Sequence, residues 1–462
     1  MIAEWARQEM NGAAIPDARR RHSLARLCTR LATHPELSFS KAAGSAGRQA
    51  AYRIFQHPHT SMDYLLQGHF QQTAARCSQH ELVLALQDTT DLDYSTHPAK
   101  AGLGYLDQRH SRGLLAHAVL AATTSGTPLG LLHLHTWVRD LEDYGKSQQR
   151  RYRDPTAKES HKWARGLQGL EEHLPAGQAV LLIQDREADV FDFVAQPRRP
   201  QTQLLIRTGN PRQVVALPVP TTRAPAADQR RTLTAVVAAA PVVGAMTVTI
   251  PRQPGQPERE ATLELRCAPV RLLPPPTAGQ GREPQEVWVV QARETTPPPS
   301  ADPVQWVLLT TMPVTDAADA RQLVQYYARR WLIERLHYTL KSGCGVERLQ
   351  IDNRRSLEHA LALFYVVAWR LLYLTLIARE EPDRPATTLL SPEELTVLAQ
   401  ALGQPPHTAR EVVQALARVG GFEDYRHAPP PGVKSLWQGL RRLEGLVAGW
   451  RLAWAAMAGD EQ

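Results

Sequence analysis

Three carboxylates are placed where they could do chemistry together. Asp88 follows the short apolar run Leu82–Leu86, and Asp185 follows the run Val180–Ile183. Both runs are typical of buried strands, and a strand end holds a carboxylate still while the next loop admits substrate. Glu334 lies far downstream in a strongly helical segment. Three such groups can hold divalent cations for phosphodiester chemistry, although either aspartate taken alone could simply cap a turn.

The helix that carries Glu334 is predicted to start at Thr315 and to run to Lys341. Tyr327 and Arg330 share one face of it with Glu334 and Lys341, because the spacings are three, four and seven residues. Such a polar stripe can be a solvated ion-pair face. Apolar residues occupy most of the remaining helix surface, which favours a functional stripe.

Other cofactor chemistries have weaker support. His133 and His135 alternate on a predicted strand and could bind zinc, but no third ligand follows at a recognisable spacing. The sequence contains no GxxxxGK[ST] loop, so no nucleotide cofactor is predicted. The four cysteines lie far apart without a CxxC pair, which suits a reducing compartment. The first ten residues include charged side chains and do not resemble a signal peptide.

Positive charge is concentrated near the N-terminus. The 462 residues carry a net charge of +7, and residues 1–60 hold nine Lys and Arg against four Asp and Glu. Residues 17–33 show one apolar helical face, and a second helix is predicted to reach Phe55. Two short helices with a basic surface suggest a small DNA-binding unit, with a merely solvated basic helix as the alternative.

The rest of the chain divides into a β-rich and a helical part. Residues 203–311 alternate short apolar stretches with proline-rich breaks, which indicates strands. Ala360–Ala378 is long enough to cross a membrane, but the central Arg370 favours a buried core helix. The last 80 residues or so are predicted to be helical, and Trp437, Trp450 and Trp454 would suit an oligomer interface if exposed.

Taken together, these motifs resemble the DDE transposases of the Tn-five group, a family of cut-and-paste insertion-sequence enzymes. The family's signature segments are matched by Gln87-Asp88-Thr89-Thr90, by Asp185-Arg186-Glu187-Ala188-Asp189 and by Tyr327-x-x-Arg330-x-x-x-Glu334-x-x-x-x-x-x-Lys341. Further agreement lies in Ala51-Tyr52-Arg53, Lys158–Trp163, Gln305–Thr310 and Gly420-Gly421-Phe422. The resemblance therefore covers nearly the whole chain.

The resemblance implies an α/β fold: an RNase H-like catalytic core with a β-rich insertion, flanked by helical domains. We expect a helical domain that binds DNA ends over residues 1–65 and a catalytic domain over 66–380. The β-rich insertion is expected at about 210–305, and a helical dimerisation domain at 381–462.

The resemblance also implies roles for individual residues. Asp88, Asp185 and Glu334 would be catalytic and would hold two Mg²⁺ ions per active site, with Mn²⁺ able to substitute. Tyr327, Arg330 and Lys341 would grip phosphates of the transposon end, and Trp306 would stack on a base flipped out of the duplex. Further DNA contacts would come from Arg207, Arg53, Arg26 and Arg30. Tyr338 stands where the family has a lysine.

The implied function is that of a DNA transposase. It would bind terminal inverted repeats, cut them through a hairpin intermediate and join the 3′ ends to target DNA. Its partners would be double-stranded transposon ends, target DNA and a second copy of the chain, with neither a membrane nor a nucleotide cofactor. We expect it in the bacterial cytoplasm, at the nucleoid.

Two other functions compete with this one. Another RNase H-like nuclease, such as a resolvase or repair enzyme, would share the carboxylates but would not need Trp306 or the Tyr327–Arg330–Lys341 stripe. A DNA-binding protein descended from a transposase would not need three converging carboxylates.

Overall fold

The structure is a computed structural model of the chain. It describes residues 2–15, 17–33, 39–57, 59–146, 158–217, 230–250, 259–275, 282–299, 302–423 and 431–459. The following account concerns these residues.

Four helices come first in the chain. They are α1 (Glu4–Asn11), α2 (Ala18–Thr33), α3 (Phe39–Phe55) and α4 (Met62–Cys77). The predicted helix over residues 17–33 is confirmed, and its apolar face, including Leu24 and Leu31, is buried. α3 is kinked at Gly44, whose φ of 66° is a left-handed conformation that glycine adopts without strain.

Twelve strands of the described residues form one mixed sheet. They are β1 (Leu82–Asp93), β2 (Gly104–Tyr105), β3 (Arg112–Ala122), β4 (Pro128–Trp137), β5 (Ala179–Gln184), β6 (Thr202–Arg207), β7 (Gln213–Ala216), β8 (Arg231–Thr232), β9 (Val242–Ile250), β10 (Arg259–Leu272), β11 (Gln285–Glu294) and β12 (Gln305–Thr310). The order is β2-β3-β1-β5-β6-β12-β11-β10-β7-β8, with β4 beside β3 and β9 beside β10. β1, β5 and β6 are parallel neighbours, whereas the other pairs are antiparallel.

The predicted strand at Leu82–Leu86 is longer than expected. Its pairing with β5 ends at Leu86 and Ile183, but β1 continues along β3 as far as Asp93. Asp88 therefore lies inside a strand, opposite Ala118, and not at a strand end. The prediction of a strand end was wrong because only one of the two partners of β1 stops there.

The β-rich segment extends the same sheet. β12 pairs with β6 on one side and with β11 on the other, so the chain leaves the parallel strands after β6 and returns to them at β12.

Three short helices accompany the strands. α5 (Lys162–His173) packs on β3 and β4, and α6 (Phe191–Val194) and α7 (Leu233–Ala239) follow later in the chain.

The predicted helix from Thr315 to Lys341 is interrupted. Asp316, not Thr315, caps α8 (Ala317–Ala328) by accepting hydrogen bonds from the backbone of Ala318 and Asp319. After a break at residues 329–330, α9 (Trp331–Tyr338) packs on β1 and then widens into a π-helical turn over Thr339–Gly343.

The remaining helices are α10 (Arg354–Glu380), α11 (Pro392–Leu402), α12 (Ala409–Val419) and α13 (Val433–Gly459). α10 is the helix of the described chain that is long and apolar enough to cross a membrane, and 94% of its most apolar window is buried inside the protein. The core-helix prediction is thereby confirmed. Trp454 on α13 is 62% exposed, whereas Trp437 and Trp450, expected to be exposed, pack partly against the core.

Two histidines on β4 face α5 across the sheet surface. His133 Nε2 and His135 Nδ1 lie 3.1 Å apart, so they hydrogen-bond each other. Burial, reinforced by the charges of His173 and Arg165, lowers the pKa of His133 to about 4. Burial and the neighbouring His133 lower the pKa of His135 to about 3. Both are therefore neutral in the folded protein at pH 7.

These two histidines should make stability depend on pH. The ordinary pKa of a histidine is 6.5. Below this pH, both histidines bind protons in the unfolded chain but stay neutral in the folded chain. The free energy of unfolding should therefore fall by about 1.4 kcal/mol per pH unit for each histidine until the pH approaches the folded pKa values. Urea unfolding at several pH values measures this slope. His133→Gln should reduce it, and an unchanged slope in that variant would contradict the assignment.

Candidate active site

Asp88 and Asp185 lie on the same face of neighbouring parallel strands. Each stands two residues beyond the last pair of the β1–β5 ladder, Leu86 with Ile183. Side chains two residues apart in a strand point to the same face, and Leu86 and Ile183 belong to one core cluster. Burial raises the pKa of Asp185, and the negative charge of Asp88 adds to the rise. The two carboxylates therefore interact electrostatically.

His337 lies beside Asp88, and it was not predicted from the sequence. Its Nδ1 lies 3.7 Å from Asp88 Oδ2. Burial acts to raise the pKa of Asp88, but His337 and, more weakly, Arg330 outweigh it, so the pKa lies below its usual value. His337 is 6% exposed, and its Nε2 has no hydrogen-bond partner in the described part of the chain. The sequence could have indicated His337 through its position three residues after Glu334, on the buried side of α9.

Glu334 is on the first turn of α9 and is 54% exposed. Its Oε1 lies 2.5 Å from Nη2 of Arg330. The Arg330 guanidinium also acts on both aspartates, because its charge lowers the pKa of Asp88 and opposes the rise in the pKa of Asp185. The break between α8 and α9 places Arg330 at the N-cap position of α9, one turn before Glu334. Arg330 thus interacts electrostatically with all three predicted catalytic carboxylates.

A second group of predicted residues meets beside the carboxylates. The rings of Trp306 and Tyr327 lie 5.4 Å apart at 65°, an edge-on aromatic contact. Arg207 pairs with Leu308 across β6 and β12, and it therefore faces the same side of the sheet as Trp306. Burial raises the pKa of Tyr327, and the Arg330 and Arg207 guanidinium groups act in the opposite direction. Four of the predicted DNA contacts are thus brought together.

Lys341 and Tyr338 follow Glu334 in the chain. Lys341 lies in the π-helical turn, where its Nζ is 3.8 Å from Glu347 Oε1. The predicted single stripe is therefore divided between α8, α9 and this turn. Tyr338 is 61% exposed on α9.

The predicted arginines of the N-terminal helices are on the protein surface or close to it. Arg26 on α2 and Arg53 on α3 are exposed. Arg30 is partly buried, with its guanidinium beside Gly44 at the kink of α3.

The geometry of the carboxylates suits a divalent cation in part. Carboxylate oxygens are the donors that Mg²⁺ and Mn²⁺ prefer, and a cation between Asp88 and Asp185 would relieve their repulsion. Within the described residues, however, no three His, Cys, Asp or Glu side chains are arranged as a metal site. The donor chemistry fits a cation at the two aspartates, while Glu334 is held by Arg330.

Two family descriptions match the chain. The family description "Transposase DNA-binding" matches residues 2–60, and "Transposase DDE domain" matches residues 133–369, more than half of the chain. The second match includes Asp185 and Glu334 and begins after Asp88. The chain therefore belongs to the DDE transposase family.

Membership in this family defines the class of reaction. The protein is a DNA transposase, an enzyme of metal-dependent DNA cleavage and strand transfer, and the DDE domain implies that its core is RNase H-like. Among solved structures, the chain is similar to a piggyBac transposase synaptic complex with hairpin DNA. That similarity has a TM-score of 0.32 at 10% identity, over 98% of this chain and 78% of that one. A similarity this low carries no argument.

The hydroxyl group of Tyr327 should matter to the reaction. Tyr327→Phe keeps the ring against Trp306 but removes the oxygen that faces Arg207 and Arg330. We expect cleavage of a DNA end to slow about tenfold, which corresponds to about 1.4 kcal/mol. Single-turnover cleavage of labelled DNA measures the rate. Tyr326→Phe, the neighbouring buried tyrosine, is the control, and equal rates for the two variants would show that the Tyr327 hydroxyl has no such role.

Proposed function

We propose that the protein is a transposase of the Tn-five group that binds terminal inverted repeats and moves its element by cutting and joining. The observation that carries the proposal is the shared face of Asp88 and Asp185 with Arg330 and Glu334 beside them. Cleavage of a phosphodiester needs such a set of carboxylates for metal and a cationic group for phosphate.

Asp88, Asp185 and Glu334 are the proposed catalytic residues and metal ligands. Two divalent ions held there, Mg²⁺ or Mn²⁺, would activate the attacking oxygen and stabilise the leaving oxygen. Glu334 would join the two aspartates when its ion pair with Arg330 opens. A DNA phosphate competes for the same guanidinium, because arginine binds phosphate as readily as carboxylate. DNA binding would in this way free the third carboxylate.

The proposed reaction consists of phosphoryl transfers that each exchange one P–O bond for another. Water attacks the phosphorus at the transposon end, the bond to the 3′ oxygen breaks, and that oxygen leaves as a free hydroxyl. The 3′ hydroxyl then attacks the opposite strand, which forms a hairpin and releases the flanking DNA. Water opens the hairpin, and the regenerated 3′ hydroxyl attacks a phosphodiester of target DNA.

The other predicted residues hold the DNA in this scheme. Arg330, Tyr327 and Arg207 converge near the carboxylates and would bind phosphates of the cleaved end, with Lys341 reaching them from the π-helical turn. The partly exposed face of Trp306 would receive an unstacked base. The arginines at 26, 30 and 53 would contact the end sequence from the N-terminal helices.

We further propose that two copies act together on two DNA ends, in the bacterial cytoplasm. α13 offers the apolar surface for pairing, since Leu452, Trp454 and Met457 are each more than 60% exposed.

Removal of the Asp88 carboxylate tests the catalytic assignment. Asp88→Ala should abolish cleavage of DNA bearing the terminal inverted repeats in Mg²⁺, while end binding in a gel-shift assay is kept. Asp93→Ala changes an exposed carboxylate of the same strand and should leave cleavage intact. If Asp88→Ala cuts DNA as well as the parent protein does, Asp88 is not a catalytic residue.

Replacement of Trp306 tests the stacking role. Trp306→Ala should slow hairpin formation about tenfold or more and should slow the first nick much less, because only the hairpin step needs the unstacked base. The two rates are measured separately on one end-labelled substrate. Trp306→Phe retains a ring and should restore most of the hairpin rate. Equal losses at both steps in Trp306→Ala would contradict base stacking.

A further inference from the structure

A buried polar layer lies directly behind the catalytic aspartates. Gln87 and Thr89 flank Asp88 in β1, so their side chains point to the opposite face of the sheet. Gln184, the residue before Asp185, is fully buried, as is Gln87. Earlier in β1, the same face is apolar, with Val83 and Ala85 among its buried residues. The polar part of this face therefore begins beside Asp88.

His117 on β3 joins the two residues that flank Asp88. Its Nδ1 is 2.9 Å from the Thr89 hydroxyl, and its Nε2 is 3.3 Å from Gln87 Oε1. An amide oxygen can only accept, so Nε2–H donates to Gln87 and the Thr89 hydroxyl donates to Nδ1. Burial lowers the pKa of His117 well below its usual value, in agreement with this neutral form.

The layer is closed by α5. Trp163 is 1% exposed, and its ring stands edge-on to the His117 ring at 4.9 Å. A Cβ atom on Gly166 would lie 2.7 Å from Gln87 Nε2, so the absence of a side chain lets the helix backbone approach the glutamine. The imidazole is thus held between the strand and the helix and has little freedom to turn.

The layer is costly to bury. Gln87 Nε2, both polar atoms of the Gln184 side chain and Trp163 Nε1 have no hydrogen-bond partner within the described residues. Each such buried group lowers the stability of the fold when it is left unpaired. Apolar side chains of similar size would avoid this cost at all of these positions. A role connected with the adjacent carboxylates accounts for their presence.

We propose that His117 is a positioning residue for Asp88. By binding Gln87 and Thr89 from behind the sheet, it fixes the backbone on both sides of Asp88 and therefore the direction of its carboxylate. This inference rests on the proposed role of Asp88 as a metal ligand. Groups that orient metal ligands commonly change metal affinity by about 10- to 100-fold when they are removed.

The test uses matched threonine variants. Thr89→Val removes the hydroxyl that binds His117 and retains the branched shape, whereas Thr89→Ser retains the hydroxyl. Thr310→Val is the control: it removes a buried strand hydroxyl, which donates to Leu204 O at 2.7 Å, far along the sheet. Mn²⁺ affinity of the full-length protein is measured by calorimetry, and the Mg²⁺ dependence of DNA cleavage is measured in parallel.

We expect Thr89→Val to weaken Mn²⁺ binding about tenfold and to raise the half-saturating Mg²⁺ concentration by a similar factor. Thr89→Ser and Thr310→Val should stay within about twofold of the parent protein. If Thr89→Val binds Mn²⁺ as well as Thr310→Val does, His117 does not position Asp88. If Thr89→Val does not fold, Gln87→Met removes the other contact of His117 and is judged by the same outcomes.

Asp88→Ala in the same titration separates the two proposals. Loss of Mn²⁺ binding in Asp88→Ala with no effect of Thr89→Val would overturn the positioning role alone. Unchanged Mn²⁺ binding in Asp88→Ala would overturn the metal assignment and the positioning role together.

Discussion

The parallel pairing of β1 and β5 is the constraint on which the rest of the site depends. It aligns Leu86 with Ile183 and so brings the next outward positions, Asp88 and Asp185, to one face. Burial raises the pKa of Asp185, and the repulsion between the two carboxylates adds to the rise. His337 and Arg330, from α9 and its N-cap, lower the pKa of Asp88 against the effect of burial. A basic protein thus concentrates negative charge where it must approach DNA.

The interruption between α8 and α9 lies at Arg330, beside the carboxylates. Arg330 is the N-cap of α9 and is paired with Glu334 one turn later. Its charge also acts on both aspartates. One guanidinium therefore offsets part of the negative charge of the three carboxylates in the absence of DNA. A DNA phosphate that binds this guanidinium would leave the three carboxylates free to bind cations. Substrate binding would in this way be linked to assembly of the catalytic group.

The sequence indicated the strands and aspartates well because apolar runs and their polar ends are local signals. Through family resemblance, it also predicted that Trp306, Tyr327 and Arg207 contact DNA. It did not predict that β1 continues past Asp88, because that depends on β3 as a partner. The break at residues 329–330 was missed because helical periodicity persists through it. His117 and His337 were missed because their importance comes from contacts with residues distant in sequence.

We propose that Asp88, Asp185 and Glu334 form one metal-binding active site. Crystals of the protein with transposon-end DNA and Mn²⁺, measured at a wavelength where manganese scatters anomalously, test it most directly. We expect anomalous peaks within coordination distance of all three carboxylates, with Arg330 moved from Glu334 to a DNA phosphate. Peaks elsewhere, or a Glu334 that remains paired with Arg330 while cleavage proceeds, would contradict it.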